Sequence, residues 1–421
     1  MAVTSARGMR DFPPRDKERR DAILDLIGET YQRHGFEALE TPALEDSSVL
    51  HSGMGGDNEK LSFQVMKRGL GPDDFASAQE SSDLSDLGLR FDLTVPLARF
   101  YATHHAQLPP VFRSFHTGPV WRAERPQKGR YRQFVQCDID ILGEPGMLAE
   151  VEVMIATADA LTRVGVEGFT FRVGDRRLLG ELLTSAGIAP DHHASALITV
   201  DKLDKIGAEG VMTELRERLP EGFDEAILHA VLTGGHGAFD AQAIGTLMGN
   251  TPTSQAVAAE LVGWVSQVVS VIGEGMMVFD PTLVRGMGYY TGSIVEIAHP
   301  DLGISLGGGG RYDGMIGRFL GTDVPAFGVS LGFERLVDIL DTPAVSHVDR
   351  VALVFSADSD TAHVIALKKH LVDTGHTVRL VREHKNMRVV YEQLVADGFS
   401  RVATVSAQAL SSDDLSWRDL T

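Results

Sequence analysis

The sequence has almost no cysteine. Cys137 is the single thiol among 421 residues, so an internal disulfide is impossible and a disulfide-stapled scaffold is excluded. Aromatic residues make up 7%, and the 44 glycines and 17 prolines fall short of the enrichment that marks collagen-like or disordered chains. No uncharged apolar run reaches the roughly 18 to 20 residues that cross a bilayer. The most apolar stretch, residues 261–279, is interrupted by Gln267 and Glu274, so no membrane association is expected. The opening MAVTSARGMRDFPPRD has neither an apolar signal core nor an Arg-rich transit pattern, which predicts a cytoplasmic protein. The patterns GxxxxGKS/T, GxGxxG, CxxC and HExxH are also absent, which removes the common phosphate-loop, dinucleotide-fold, thiol-redox and zinc-protease readings. The histidine pairs at 104–105 and 192–193 lack metal-ligand spacing; they and Cys137 are expected on the surface, with no metal site.

What is present reads as a folded chain of two or three domains, 43% hydrophobic and 23% charged. The net charge of −19 repels polyanions at long range and argues against a general DNA-coating protein. Such fields fade over a Debye length of ~8 Å, so a concentrated basic strip can still grip phosphate. Residues 122–132, RAERPQKGRYR, form one: Arg122, Arg125, Lys128, Arg130 and Arg132 stand against a single acid, Glu124.

In DKERRDAILDLIGETYQRH, Ile23, Leu24, Ile27 and Tyr31 recur at helical spacing before a stop at Gly35. The segments FEALETPALE, VFRSFHTGPVWRAE and RYRQFVQCDIDILG alternate apolar and polar residues as strands of an antiparallel sheet do, the last two joined by a hairpin with a basic tip. After FTFRV the texture becomes helical, and strand and Gly-rich signals resume in MVFDPTLVRGMGYYTGSIVEIAHPDLGISLGGGGRYDGMIG. The predicted organisation is a core over 1–170 and 276–345, a helical insertion over 171–275, and a C-terminal domain over 349–421. That last segment reads strand, helix, strand, helix, strand, a small parallel α/β unit that stops short of a final strand and helix.

Candidate chemistry follows from residue type. On the hairpin arms, Arg122 and Arg132 can fork onto phosphate oxygens as an ammonium cannot, and Phe134 offers a flat face for a base. A solvated surface hairpin is the ordinary alternative for such a charge run. Arg285 in LVRGMGYY sits among glycines that permit close approach, while Tyr289 and Tyr290 fit either a pocket or half-buried packing. GGGGRYDG reads as a tight turn, and Arg335 in GFERL as a residue in the first turns of a helix, where a plain salt bridge is the alternative role. In LRFDLTVPLARF, Asp92 and Thr94 share a strand face ahead of a helix that Thr94 can cap. Gln136, Asp138 and Asp140 likewise share one strand face, which suits a substrate carrying an amine or imidazole.

Taken in order, ARGMRDF, HGFEALETPALE, SGMGGDNEK, LRFDLTVPLARF, VWRAERPQKGRYRQF, VQCDIDILGE, VDKLDKIG, LVRGMGYYTG, GGGGRYDG and GFERL resemble the histidyl-tRNA synthetases, class II aminoacyl-tRNA synthetases. The resemblance implies an α+β fold: an antiparallel class II catalytic sheet flanked by helices, with a helical insertion and a C-terminal α/β anticodon-binding-like domain. It also implies a homodimer joined through the segment around HGFEALETPALE. The implied reaction takes L-histidine and ATP with Mg2+ to histidyl-adenylate and pyrophosphate, then transfers histidine to the 3′ end of tRNA(His). By resemblance Arg122 and Arg285 are catalytic on the α-phosphate. Glu124, Arg132, Phe134, Arg311 and Arg335 join Arg122 on ATP. Asp92, Thr94, Gln136, Asp140, Tyr289 and Tyr290 form the histidine pocket with Arg285, and Arg125, Lys128 and Arg130 meet tRNA. Two departures are local: Gly288 stands where the family usually carries Asp, and Val135 where many bacterial members carry His. Residues 349–421 hold nine basic and ten acidic side chains, a near-neutral balance compatible with RNA contact. The alternatives are the synthetase-like regulatory subunit of ATP phosphoribosyltransferase, or a paralogue limited to adenylation.

Overall fold

A computed structural model of the chain describes residues 3–53, 61–127, 129–219, 222–235, 237–284, 288–300, 305–340, 349–406 and 414–420. They fall into two compact units, Met1–Asp11 with Ile23–Asp341, and Phe12–Ala22 with Thr342–Thr421. Strands of the first unit are β1 (Glu37–Leu39), β2 (Leu44–Asp46), β3 (Phe63–Met66), β4 (Ser85–Leu89), β5 (Phe112–Trp121), β6 (Gln133–Leu142), β7 (Thr170–Asp175), β8 (Met277–Phe279), β9 (Ser293–Ala298), β10 (Gly307–Arg311) and β11 (Ala326–Gly332). Eight of them form one sheet in the order β1-β5-β6-β11-β10-β9-β7-β8, and β2-β4-β3 form a second, smaller one.

The large sheet is antiparallel through its centre, but β1 pairs parallel with β5 and β8 parallel with β7 at the two edges. A parallel pair needs a long crossover connection. Between β7 and β8 that connection is a run of helices, from Arg176–Ser185 to Pro252–Ile272. The chain therefore leaves the sheet and returns beside its point of exit, with Phe171 opposite Met277. Pro252–Ile272 is long and apolar enough in composition to span a bilayer, yet its Val257, Leu261, Trp264 and Val268 are buried in the core that the insertion shares with the sheet.

Period-two alternation decides what β6 does. Cys137, Ile139 and Ile141 face the apolar core with Ile23, Ile27 and Tyr31 of the helix Pro14–Arg33 and Val153 and Met154 of the helix Leu148–Arg163. Gln136, Asp138 and Asp140 point to the other side. Cys137 is fully buried rather than at the surface, because its strand places it on the core face. Of the histidines expected at the surface, His105 is exposed while His104, His192 and His193 are half-buried.

Two further expectations change. The four glycines of GGGGRYDG are not a turn but the strand β10, paired on both sides by β9 and β11. Asp92 and Thr94 do not share a strand: Thr94 is the first residue of the helix Thr94–His104, and the cap comes from Asp92, whose Oδ1 accepts from the Val95 amide at 3.2 Å.

The second unit contains β12 (Arg350–Phe355), β13 (Thr377–Arg382), β14 (Arg401–Thr404) and β15 (Trp417–Asp419), with helices Thr361–Asp373 and Met387–Ala396. The order is β13-β12-β14-β15; β12 runs parallel to β13 and β14, and β15 antiparallel to β14. A fourth strand is thus present after all, only three residues long and too short to show alternation in the sequence.

Candidate active site

The polar face of β6 opens into a cleft of about 400 Å³, within the range of small-molecule sites. Three neighbouring elements complete its walls: β10, β11 and the loop before Thr94–His104. The arms of the basic hairpin close one end, held together where the Arg122 amide donates to the Arg132 carbonyl at 2.9 Å.

Of the residues singled out in the sequence, Asp92, Thr94, Arg122, Glu124, Arg130, Phe134, Gln136, Asp140, Tyr289, Tyr290 and Arg335 line this one cleft. Three others do not. Arg132 donates from Nε to the Glu124 carbonyl at 3.0 Å and braces the hairpin, and Arg125 lies exposed beside it. Arg311 turns away, giving Nε and Nη2 to the buried Glu150 carboxylate at 2.7 and 2.5 Å and Nη2 to the Gly146 carbonyl. Arg285 and Lys128 lie outside the described residues.

Arg122 is aimed by two contacts: its Nε donates to the Phe91 carbonyl at 3.0 Å, and its guanidinium carbon lies 5.1 Å from the Phe134 ring centre. Across the cleft, Arg335 donates from Nη1 to the Ser305 carbonyl. Exposed Arg130 stands 3.7 Å from Glu124. Val135, one of the two local departures, takes part through its backbone, its amide donating to Glu334 Oε1 at 3.3 Å.

The other end of the cleft is acidic and buried. Burial pushes the Asp92 carboxyl up to about 6 and that of Asp140 up to about 7. Burial and the neighbouring Asp140 together push Asp138 well above the usual carboxylate range. Tyr312 donates its hydroxyl to Asp140 Oδ1 at 2.6 Å, Gln136 Nε2 donates to Ser330 Oγ at 2.7 Å, and Tyr289 shares a hydrogen bond with Thr94. One oxygen on each of Asp92, Gln136, Asp138 and Asp140 is buried with no hydrogen-bond partner among the described residues. Buried polar oxygens are rarely left so, and four converging on one cavity fit a ligand rich in N–H donors that would favour the ionised carboxylates. Asp138 and Tyr312 sat in quoted motifs, and the 136–138–140 spacing marked the former. Ser330 carried no local signal, since only the pairing of β11 with β6 brings it near.

The raised carboxyls make a stability prediction with a definite sign. The native state holds the Asp140 proton to about pH 7 whereas the unfolded chain releases it near its ordinary 3.8, so this contribution is full below 3.8 and lost as pH rises through 7. Asp140→Asn, which still accepts from Tyr312, is expected to stabilise the unliganded protein by an amount that grows from pH 4.5 and levels above pH 7 at a few kcal/mol. Denaturant unfolding at pH 4.5 and 8 measures it; a gain independent of pH contradicts the assignment.

The family model described as histidyl-tRNA synthetase matches residues 8–336. The chain is 52% identical over 419 residues to the histidine–tRNA ligase of Leifsonia xyli subsp. xyli, covering 96% of each. It is 39% identical over 411 residues to a probable histidine–tRNA ligase of Tropheryma whipplei, covering 95% of each. Among solved structures, histidyl-tRNA synthetase from Nostoc sp. PCC 7120 aligns with a TM-score of 0.77 at 24% identity, over 100% of this chain and 95% of that one. A structure described as an ATP phosphoribosyltransferase regulatory subunit/histidyl-tRNA synthetase from Bacillus halodurans C aligns at 0.78 and 21%, over 97% and 100%. These two likenesses show a shared class II synthetase fold, and the extent and identity of the sequence matches show that the chain belongs to the histidyl-tRNA synthetase family.

Proposed function

We propose that this cleft joins L-histidine to ATP and passes the histidyl group to tRNA(His). The observation that carries the reading is the juxtaposition, in one cavity, of an acidic end with four unpartnered acceptors and a cationic end bearing Arg122 and Arg335. The acidic end suits the ammonium and the imidazole N–H groups of histidine. The other suits a nucleotide, with Phe134 stacked on adenine, Glu124 hydrogen-bonded to it, Arg335 on the triphosphate, and magnesium arriving as part of the ATP substrate.

A histidine carboxylate oxygen attacks the α-phosphorus and pyrophosphate leaves, so negative charge builds on oxygens that a fixed cation must stabilise. Arg122 takes that role, with Arg285 as its counterpart by resemblance. A ribose hydroxyl of the tRNA 3′ end then attacks the carbonyl of the adenylate and releases AMP. Because the histidine-binding acceptors are buried, an isostere lacking the imidazole nitrogens leaves them unpaired and is rejected by a large factor. The resemblance gives Arg311 to ATP, but its buried pairing with Glu150 favours a structural role. Arg311→Ala is expected to cost ~3–5 kcal/mol of stability while moving the KM for ATP less than about twofold.

The exposed Arg125 and Arg130, with Lys128, are the residues proposed to meet tRNA phosphates. Exposed Leu44, Met66, Phe75 and Leu87 around the small sheet support a homodimer formed on that side, and action in the cytoplasm belongs to the same reading. The test is histidine-dependent ATP–pyrophosphate exchange followed by charging of tRNA. Both are expected. Histidine binding without exchange identifies the regulatory-subunit alternative, and exchange without charging identifies the adenylation-only paralogue. The 52% identity to a ligase over 96% of each chain supports the ligase over both.

A further inference from the structure

The sequence motif ARGMRDF has no part in the site as described so far, yet the structure lays it against both elements of the nucleotide end. The Gly8 carbonyl accepts from the Arg132 amide at 2.8 Å, on the hairpin arm that leads into Phe134. Gly8 has φ +83°, and a Cβ there would stand 2.7 Å from Pro126 and 2.9 Å from Arg132, so the segment lies flat on the hairpin only as glycine. Two residues on, the guanidinium carbon of Arg10 is 3.5 Å from the centre of the Tyr131 ring, a stacked cation–π contact. The same guanidinium forms an ion pair with Glu334, whose side chain is 6% exposed. Glu334 in turn accepts from the Val135 amide at 3.3 Å and immediately precedes Arg335. Tyr131, Phe134, Glu334 and Arg335 all line the cleft.

One side chain thus touches two elements that the fold brings together from distant parts of the sequence: the hairpin arm with Phe134 and the helix Phe333–Ile339 with Arg335. We infer that Arg10 is a positioning residue for ATP: by stacking on Tyr131 and pairing with Glu334 it fixes the spacing of Phe134 and Arg335 and screens the Glu334 carboxylate from the triphosphate. The inference rests on the nucleotide reading of this cleft. Both parts of the effect bear on ATP. Losing the guanidinium loosens the hairpin arm against the helix, with the 3.3 Å Val135–Glu334 hydrogen bond left to hold them, which blurs the gap that adenine and triphosphate must fill together. It also takes a cation from a carboxylate lining the space where a polyanion binds, and that raises the electrostatic cost of binding. Histidine, held by Asp92, Gln136 and Asp140, feels neither.

The experiment is steady-state ATP–pyrophosphate exchange on the full chain, with titration of a non-hydrolysable ATP analogue. For Arg10→Ala the KM for ATP is expected to rise about tenfold and the analogue to bind about tenfold more weakly. The KM for histidine and kcat stay within about twofold when measured well below the unfolding midpoint, which is expected to fall because buried Glu334 loses its partner. Tyr131→Leu, which leaves the Arg10–Glu334 pair and its screening in place, should raise the KM for ATP by a smaller factor, and adding it to Arg10→Ala should produce little more, since the stacking link is then already cut. A KM for ATP within twofold of wild type, or equal rises in both KM values, overturns the inference, as does full additivity of the two substitutions. Absence of exchange in the wild-type protein would instead refute the nucleotide reading, so the two failures are distinguishable.

Discussion

Arg122→Ala is expected to lower histidine-dependent ATP–pyrophosphate exchange by ~10²- to 10³-fold with only a small change in the KM for histidine. The size follows from how the side chain is held. Its Nε is committed to the Phe91 carbonyl at 3.0 Å and Phe134 flanks its carbon end. The guanidinium is therefore set before substrate arrives and needs no reorganisation as charge develops on the α-phosphoryl oxygens. Arg122→Lys is the sharper version. An ammonium keeps the charge but loses both the Nε anchor and the two-pronged contact with phosphate, so a deficit of at least tenfold should persist. A loss below about tenfold in the alanine variant would move the catalytic charge elsewhere.

Gly328→Ala should be as damaging at the other end of the cleft, although residue 328 offers no functional group. A Cβ at this position would stand 1.8 Å from Asp140 Oδ1 and 2.6 Å from its Cγ. Neither can yield cheaply: Asp140 is tied to Tyr312, and β11 is paired with β6 over seven residues. Either Asp140 swings out of the position from which it is proposed to hold the imidazole, or the strands part. The KM for histidine should rise at least ~10²-fold, with a stability loss of about 1–3 kcal/mol from overpacking. ATP-analogue binding should remain. Gly180, a helical glycine whose added Cβ meets nothing within 4 Å, is the control: Gly180→Ala should leave activity intact and stability equal or slightly higher. A near-normal KM in Gly328→Ala would show that Asp140 is not the imidazole partner.

Much of this site could be read before any fold was known. The alternation of VQCDIDILG placed Gln136, Asp138 and Asp140 on one face, because a strand has a period of two whatever it later pairs with. The charge of RAERPQKGRYR and its Pro/Gly tip marked a basic hairpin, and helical spacing located Ile23, Ile27 and Tyr31 on the buried side of their helix. Reading failed where residue type and partner conflict. Four glycines suggest a turn when considered alone, but β10 is a strand between two others, and Cβ atoms on Gly307, Gly309 and Gly310 would strike the neighbouring backbone. Arg311 is given to ATP by resemblance, whereas the structure pairs it with Glu150, 161 residues away, a contact that no local pattern announces.

The sequence by itself determined the local quantities: the strongly periodic elements, which face of each is polar, and which chemical groups the chain can offer to a ligand. Tertiary structure alone decided which groups meet. It set Ser330 beside Gln136, Tyr312 against Asp140, and Arg10 between Tyr131 and Glu334. The reason is one of range. Side-chain direction is fixed by the backbone within a few residues, whereas the pairing of β6 with β11, and the docking of Arg10 on a helix more than 300 positions away, are selected by long-range packing that no local pattern encodes.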